Sequence, residues 1–306
     1  MKIPITLILI LLTQFTVLGQ INERYTSFDQ ALKEPEKVKW LDLDCTEIPR
    51  VSKQIYKYPN LEALYLTGCE LKEFPEGIEK IKNLELLNVW NNNLSSLPIE
   101  LKALDKLTVV NLRNNNFKDL PRILTVLPNL REIDLSDNEH LNLDGALISL
   151  SKVQKLDFLY LDGLNISTIP LEIKELKFLK ELHLSDNPNL DLVNGFASLS
   201  QVPNLKILVL TDNRLTFISN KIKLLNQLNG LVLDNNPDIE IGNLVENLNQ
   251  LPNLKVLLLR KNELTKLPEN LNGLSSLAVL ELSGNNFPES EQLRIKSLLP
   301  NTNVVF

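Results

Sequence analysis

The sequence predicts an α/β repeat solenoid: a curved stack of repeats with a parallel concave sheet of about twelve strands and a mixed loop and short-helix convex side. Three observations predict it. The 306 residues include 68 Leu and 36 Asn. This excess over average composition indicates that Leu and Asn fill positions that recur along the chain. One eleven-residue pattern recurs ten times at a nearly fixed period. Within it, apolar residues alternate as they do in a strand with one buried face.

The repeated pattern is L-x-x-L-x-L-x-x-N-x-L, as in Leu254–Leu264. Successive copies start 23 or 26 residues apart, and the 26-residue copies begin at Leu130, Leu179 and Leu228. The ten starts are Leu61, Leu84, Leu107, Leu130, Leu156, Leu179, Leu205, Leu228, Leu254 and Leu277. One repeat cannot bury its apolar face alone, so neighbouring repeats must stack into a continuous core.

This pattern resembles the leucine-rich repeat family over about residues 38–306. In several copies an apolar residue followed by Pro comes after the strand, and these copies resemble the 23-residue repeat class common in bacterial exported proteins. The pairs are Phe74-Pro75, Leu97-Pro98, Leu120-Pro121, Ile169-Pro170 and Leu267-Pro268. The resemblance implies a horseshoe with its ligands on the concave face and with protein partners.

The ninth position holds Asn in eight of the ten copies. A buried carboxamide must be hydrogen-bonded, and here it can bond the backbone of the turn that leaves the strand. We therefore expect a structural asparagine ladder of Asn92, Asn115, Asn138, Asn187, Asn213, Asn236, Asn262 and Asn285. Cys69 and Leu164 occupy this position in the other two copies.

The expected division is a signal peptide at 1–19, an N-terminal capping segment at 20–37 and a solenoid with a C-terminal capping strand at 38–306. Ser27 and Gln30 have the spacing of a capping box, which predicts a helix over Phe28–Lys33. Val38–Leu43 is expected to be the first strand and Asn303–Phe306 the last. Near-helical apolar spacing predicts longer convex segments in the 26-residue copies.

The N-terminus is typical of a secretory signal peptide. Lys2 precedes an apolar run over Leu7–Leu18, and Val17 and Gly19 suit a cleavage site before Gln20. The run is short for a membrane span, although an uncleaved anchor is the alternative. We expect an exported chain, periplasmic or secreted, with no membrane span after cleavage.

Composition argues against several classes. A net charge of −6 lacks the basic footprint of a nucleic-acid-binding protein. Two Cys and two His disfavour a zinc module, and no Gly-rich phosphate loop is present. Carboxylates near the centre could hold a cation, but no ligand loop with dedicated spacing accompanies them. Neither a metal nor a cofactor is expected.

The outward positions of the strands define three regions of the concave face. The N-terminal region contains Trp40, Tyr65, Trp90 and Arg113, residue types enriched at binding hot spots. The central region surrounds Tyr160 and His183 with Glu132, Asp134, Asp162, Glu181 and Asp186, and Phe158 is a further candidate contact residue on this face. The C-terminal region predicts an exposed apolar stripe of Ile207, Val209, Val232, Val256, Leu258 and Val279, although strand propensity alone also places such residues on sheets.

His183 raises the question of catalysis because Ser185 follows it on the same strand face. Same-face neighbours lie ~7 Å apart, too far for the hydrogen bond of an activated nucleophile. His183 is therefore expected to be a solvated residue, and the chain is not expected to be an enzyme.

Cys45 and Cys69 lie close to one repeat apart. In an oxidising compartment adjacent rungs could pair them, but the first repeat is shortened, so two buried thiols remain an equal alternative.

The leading hypothesis is an exported, non-enzymatic protein that binds another protein through its concave face. The alternative is recognition of a cell-envelope glycan or small ligand on the same face. An enzyme using His183 is the remaining hypothesis, and the partner's identity is not encoded in any motif.

Overall fold

The computed structural model describes residues 24–44, 53–74 and 76–306. Its described strands form one open, curved parallel sheet whose spatial order follows the chain order throughout. The predicted α/β solenoid is therefore confirmed. The expected signal peptide at 1–19 and Cys45 lie outside the described residues.

The sheet contains thirteen strands within the described residues. They are β1 Arg24–Tyr25, β2 Trp40–Asp44, β3 Ala63–Thr67, β4 Leu86–Asn88, β5 Val109–Asn111, β6 Glu132–Asp134, β7 Phe158–Tyr160, β8 Glu181–His183, β9 Ile207–Val209, β10 Gly230–Val232, β11 Val256–Leu258, β12 Val279–Glu281 and β13 Asn303–Val305. The expectation of about twelve was one strand short, because Arg24 and Tyr25 pair in register with Trp40 and Leu41. A two-residue strand has no alternation that could predict it.

Helix length on the convex side follows repeat length, as predicted. The three 26-residue copies carry helices α2 Leu143–Leu150, α3 Leu192–Leu199 and α4 Ile241–Leu248. The other convex segments are 3₁₀ turns at Lys53–Lys57, Ile78–Lys80, Ile99–Ala103, Arg122–Val126, Leu171–Glu175, Asn220–Leu224 and Asn272–Leu274. Three extra residues allow two full helical turns, and the Asn142 and Asp191 side chains cap two of these helices.

The ends of the solenoid differ in detail from the predicted caps. Ser27 accepts a hydrogen bond from the Gln30 amide, but the helix it caps, α1, covers Phe28–Ala31 and is shorter than the predicted Phe28–Lys33. Pro35 then begins a separate 3₁₀ turn, Pro35–Lys37, and Pro cannot continue a helix. At the other end helix α5, Glu289–Leu298, precedes the last strand.

The core lies between the sheet and the convex segments. The apolar first, fourth and sixth positions of the pattern are almost fully buried, and they join one continuous cluster along the solenoid. Each rung contributes the same three buried positions, so the core continues from repeat to repeat.

The ninth-position asparagines link adjacent rungs. Asn115, for example, donates from Nδ2 to the carbonyl oxygens of Val89 (2.9 Å) and Leu112 (3.0 Å), and its Oδ1 accepts from the Leu94 amide (3.0 Å). Comparable bonds are made by Asn92, Asn138, Asn187, Asn213, Asn236, Asn262 and Asn285. Each carboxamide thus bonds groups that the turn leaves without a ladder partner.

The eighth position has a constraint that the sequence analysis missed. Its ten residues all have left-handed backbone conformations, with φ between 51° and 73°. Nine of them are Gly, Asn or Asp, the residues that tolerate this region best, and Lys261 is the exception. At Gly163 a Cβ atom would also lie 2.0 Å from Asp137 Oδ1.

A second row of asparagines precedes the strands. Each donates from Nδ2 to a backbone carbonyl of the preceding rung, at 2.7–2.9 Å: Asn60, Asn83, Asn129, Asn204 and Asn253. This row was also not predicted, since it lies outside the eleven-residue pattern.

Within the part of the chain that the structure describes, no helix is both long enough and apolar enough to cross a membrane.

Candidate binding face

Strand register brings the outward residues into two aligned rows on the concave face. Phe158 lies between Glu132 and Glu181 in one row, and Tyr160 lies between Asp134 and His183 in the other. The register therefore assembles the central region as the sequence pattern predicted.

The N-terminal region presents less aromatic surface than its composition suggests. Trp40 and Tyr65 contact each other with ring centroids 5.7 Å apart, and Tyr65 is only 9% exposed. Arg24, which the sequence analysis did not single out, lies over Trp40 and pairs with Asp42 at 2.6 Å. Trp90, by contrast, is 44% exposed. Trp90 is thus the aromatic residue of this region best placed to contact a ligand.

The polar residues beside this region have structural roles. Asn88 and Asn111 accept from the amides of Trp90 and Arg113, two residues further on, both at 2.9 Å. Arg113 Nε lies 2.7 Å from Asp137 Oδ2. The guanidinium that was predicted to face a ligand is therefore already neutralised by a carboxylate.

A depression of about 500 Å³ connects the N-terminal and central regions. Tyr65, Trp90, Arg113, Glu132 and Tyr160 are among its lining residues. A second depression of about 1010 Å³ adjoins it, shares Arg113, Tyr160 and Asp162, and extends over His183 towards Arg260. The concave face thus offers a continuous trough with an aromatic end and an acidic centre.

His183 does not have the solvated environment that we expected. Its Nε2 lies 2.7 Å from Glu181 Oε1, and its ring contacts that of Tyr160 with centroids 4.1 Å apart. The long Glu181 side chain spans the same-face separation that a serine could not. Ser185 Oγ instead accepts from the Thr211 amide at 3.2 Å, so Ser185 and His183 have separate partners.

Burial changes the acid–base properties of the central region. Removal from water raises the pKa of Glu132 to about 7, although a hydrogen bond from Tyr160 opposes the shift. Burial also raises the pKa of Asp134 and of Asp162. The pKa of Tyr160 is raised by burial and then by Glu132 and Glu181, so its hydroxyl stays protonated and can donate. Burial therefore disfavours the ionised forms of Glu132, Asp134 and Asp162.

The expected exposed stripe in the C-terminal region is wrong. Ile207, Val209, Val232, Val256, Leu258 and Val279 are each at most 7% exposed and form a cluster separate from the main core. Neighbouring strands lie only ~4.8 Å apart, so branched side chains on successive rungs cover one another. Val209, Val232 and Leu258 line the second depression but expose little of their surface.

Cys69 Sγ lies 4.0 Å from the Leu43 carbonyl oxygen, and Cys69 is disulfide-bonded. Cys45, the only other cysteine in the sequence, lies outside the described residues. The Cys45–Cys69 pairing stays a prediction.

Comparison with known proteins gives a family match. Residues 82–139 match the family model described as leucine rich repeat. A solved structure of a leucine-rich repeat protein from Leptospira interrogans is 23% identical to this chain, covers 93% of this chain and 100% of its own, and aligns with a TM-score of 0.39. No curated protein matches the sequence.

The matched segment contains the same rungs, ladder asparagines and left-handed turns as the rest of the solenoid. Residues 82–139 are leucine-rich repeats, and the rest of the solenoid shares their fold.

Proposed function

We propose that this protein is an exported, non-enzymatic scaffold that binds another protein through its concave face. Leucine-rich repeat proteins typically act in protein interactions. The observation that carries the assignment to this face is Trp90, which is 44% exposed at the edge of a depression lined by further aromatic and charged side chains. Export rests on the sequence pattern of residues 1–19.

The rigidity of the face supports this proposal. Asn88, Asn111 and Asp134 each accept a backbone amide two residues further on, which fixes the ends of three adjacent strands. Side chains held in advance lose little conformational entropy on binding. A partner could therefore bind without reorganising the sheet.

The test compares one concave and one convex variant as baits for envelope and medium fractions, with the mature chain beginning at Gln20. Trp90→Ala removes the exposed aromatic side chain of the concave face. Leu171→Ala is the matched control, because Leu171 is 63% exposed in the convex turn Leu171–Glu175. Circular dichroism checks that both variants fold.

We expect a partner that the native chain and the Leu171 variant capture and that the Trp90 variant loses. Loss with the Leu171 variant alone would move the binding site to the convex side and overturn the proposal.

Glycan recognition is the second candidate, favoured by aromatic rings and amides in the same depression, among them Tyr65, Trp90 and Asn88. Treating the fractions with protease separates the two candidates. Capture of a protein partner ends with this treatment, whereas capture of a glycan survives it.

A further inference from the structure

Three carboxylates of the concave face have an arginine partner. Three arginine–carboxylate pairs lie within 2.7 Å: Arg24 with Asp42, Arg113 with Asp137, and Arg260 with Asp234. Arg260 contacts Asp234 with two guanidinium nitrogens and its backbone amide. Pairing with arginine is thus one way in which carboxylates on this face are neutralised.

The centre of the trough departs from this arrangement. Among the described residues no Lys or Arg forms an ion pair with Glu132, Asp134, Asp162 or Glu181. We call these four residues the central carboxylates. Among the described residues His183 is the one basic side chain hydrogen-bonded to any of them, and it bonds Glu181. The other three accept from neutral donors: Glu132 from Tyr160, Asp134 from the Ser136 amide and Asp162 from the Ser185 amide.

Glu181 provides an independent sign that a partner is missing. It is only 4% exposed, and its Oε1 contacts His183, yet its Oε2 is buried with no hydrogen-bond partner in the described part of the chain. A buried carboxylate oxygen without a donor costs free energy. The Glu181 side chain lines the second depression of the trough, so a donor brought by a ligand could reach this group.

A metal ion does not fit the arrangement. Within the described residues no three His, Cys, Asp or Glu side chains come together closely enough to hold one. The central carboxylates are instead spread over strands β6 to β8 and the turn after β7. An extended, planar donor with several N–H groups matches such spread acceptors better than a point charge.

We propose that the central carboxylates receive the guanidinium group of an arginine side chain carried by the protein partner. This inference rests on the proposed function and specifies the partner's chemistry: an exposed arginine, on a partner whose contact surface is basic. The Tyr160 ring, which contacts the His183 ring at an interplanar angle of 33°, offers an aromatic surface beside the acceptors, and arginine also favours aromatic neighbours.

The site should bind its cation more tightly as the pH rises. Glu132 faces Asp134 on its own strand and Tyr160, Glu181 and His183 on the next two strands, and Arg113 acts on the neighbouring Asp134. Burial raises the pKa of Glu132 to about 7, and a bound guanidinium favours the ionised form, so binding releases a proton. Between pH 6 and pH 8 the affinity should increase about tenfold.

The probe is the tripeptide acetyl-Gly-Arg-Gly-amide, and its control is the same peptide with citrulline, which has arginine's shape without its charge. The readout is the imidazole proton resonances of the full-length mature chain. The sequence has only two histidines, His183 at the site and His140 in an exposed turn. A His140→Gln variant assigns the two signals.

We expect the arginine peptide to shift the His183 signals and leave those of His140 unchanged, while the citrulline peptide shifts neither. Glu132→Gln should weaken binding at least about fivefold. Glu175→Gln, an exposed carboxylate on the convex side, should not. Circular dichroism confirms the fold of both variants, and the comparison of the two peptides on the native chain does not depend on them.

Equal shifts with both peptides, or none with either, would overturn the inference. A His183 shift with Ca²⁺ but not with the arginine peptide would replace it with an inorganic cation. Failure of the peptide test while Trp90→Ala still abolishes partner capture would refute the arginine site and leave the proposed function standing. Loss of capture only in the convex variant would refute the proposed function itself.

Discussion

Asn187 is the best place to test the asparagine ladder, because the repeat before it has Leu164 in place of Asn at the ninth position. Asn187 is fully buried. Its Nδ2 donates to the carbonyl oxygens of Leu161 (3.1 Å) and Leu184 (3.1 Å), and its Oδ1 accepts from the Ile166 amide (2.8 Å). One side chain thus bonds backbone groups on two rungs.

The cost of Asn187→Ala follows from counting the groups it leaves without a partner. Leu184 keeps a partner, because Asn213 Nδ2 also donates to its carbonyl oxygen at 2.9 Å. The Leu161 carbonyl and the Ile166 amide have no other hydrogen-bond partner among the described residues. Two orphaned buried groups, at ~1–3 kcal/mol each, predict a loss of about 2–6 kcal/mol in the free energy of unfolding.

Unfolding in urea is monitored by circular dichroism. The comparison is valid when the free energy of unfolding falls with urea concentration at the same slope in the variant and the native chain. Asn189→Ala is the control, because Asn189 is exposed and bonds only the exposed Asn165 side chain among the described residues. It should change the stability by less than about 0.5 kcal/mol. If Asn187→Ala cost no more than this control, the ladder would not be a source of stability.

Three further predictions concern packing, pH and redox state. Gly273→Ala should destabilise the fold by about 1–3 kcal/mol in urea unfolding, because its Cβ would lie 1.9 Å from a backbone carbonyl oxygen of α4. A Cβ atom added at Gly242 would meet no atom within 4 Å, so Gly242→Ala should not destabilise the fold. Equal losses of stability in the two variants would refute the packing argument. The pKa of Glu132 is raised to about 7. Its contribution to the free energy of unfolding is therefore fully present at pH 4 and should be lost as the pH rises to 8. Between pH 4 and pH 8 the free energy of unfolding of the Glu132→Gln variant should therefore rise by about 1–3 kcal/mol relative to that of the native chain. Parallel pH dependences of the two free energies would contradict this. A Cys45–Cys69 bond predicts no free thiol by thiol titration of the unfolded chain and a loss of about 3 kcal/mol on reduction, whereas two free thiols would exclude it.

The periodicity of the sequence was sufficient to predict the fold. Because the leucine positions recur in phase, the register that pairs Tyr160 with His183 could be read from spacing alone. The helices of the convex side followed equally from repeat length. The two-residue strand β1 could not be predicted, since it is held by pairing with β2 and not by its own pattern.

The eighth position could have been predicted from the sequence. Its residues, nine of them Gly, Asn or Asp, carry the chemical signature of a left-handed turn. The leucine pattern describes side-chain burial, whereas this constraint acts on the backbone. A pattern defined by apolar residues alone therefore passed over it.

The concave face was harder to predict because exposure depends on neighbouring rungs. Val209 and Val232 face outward by alternation, yet they bury each other across the short strand spacing. Arg113 was predicted as a contact residue, but its partner Asp137 lies one rung away. The separation of His183 from Ser185 was predicted, whereas its bond to Glu181 depended on a side-chain length that a count of Cα spacing ignores.

Site-specific photo-crosslinking tests directly whether the concave face binds the partner. A photoreactive phenylalanine analogue replaces Trp90 on the concave face in one chain and Leu171 on the convex face in another, both exposed positions. We expect a covalent adduct with one partner from position 90 and none from position 171. An adduct from position 171 with none from position 90 would contradict it.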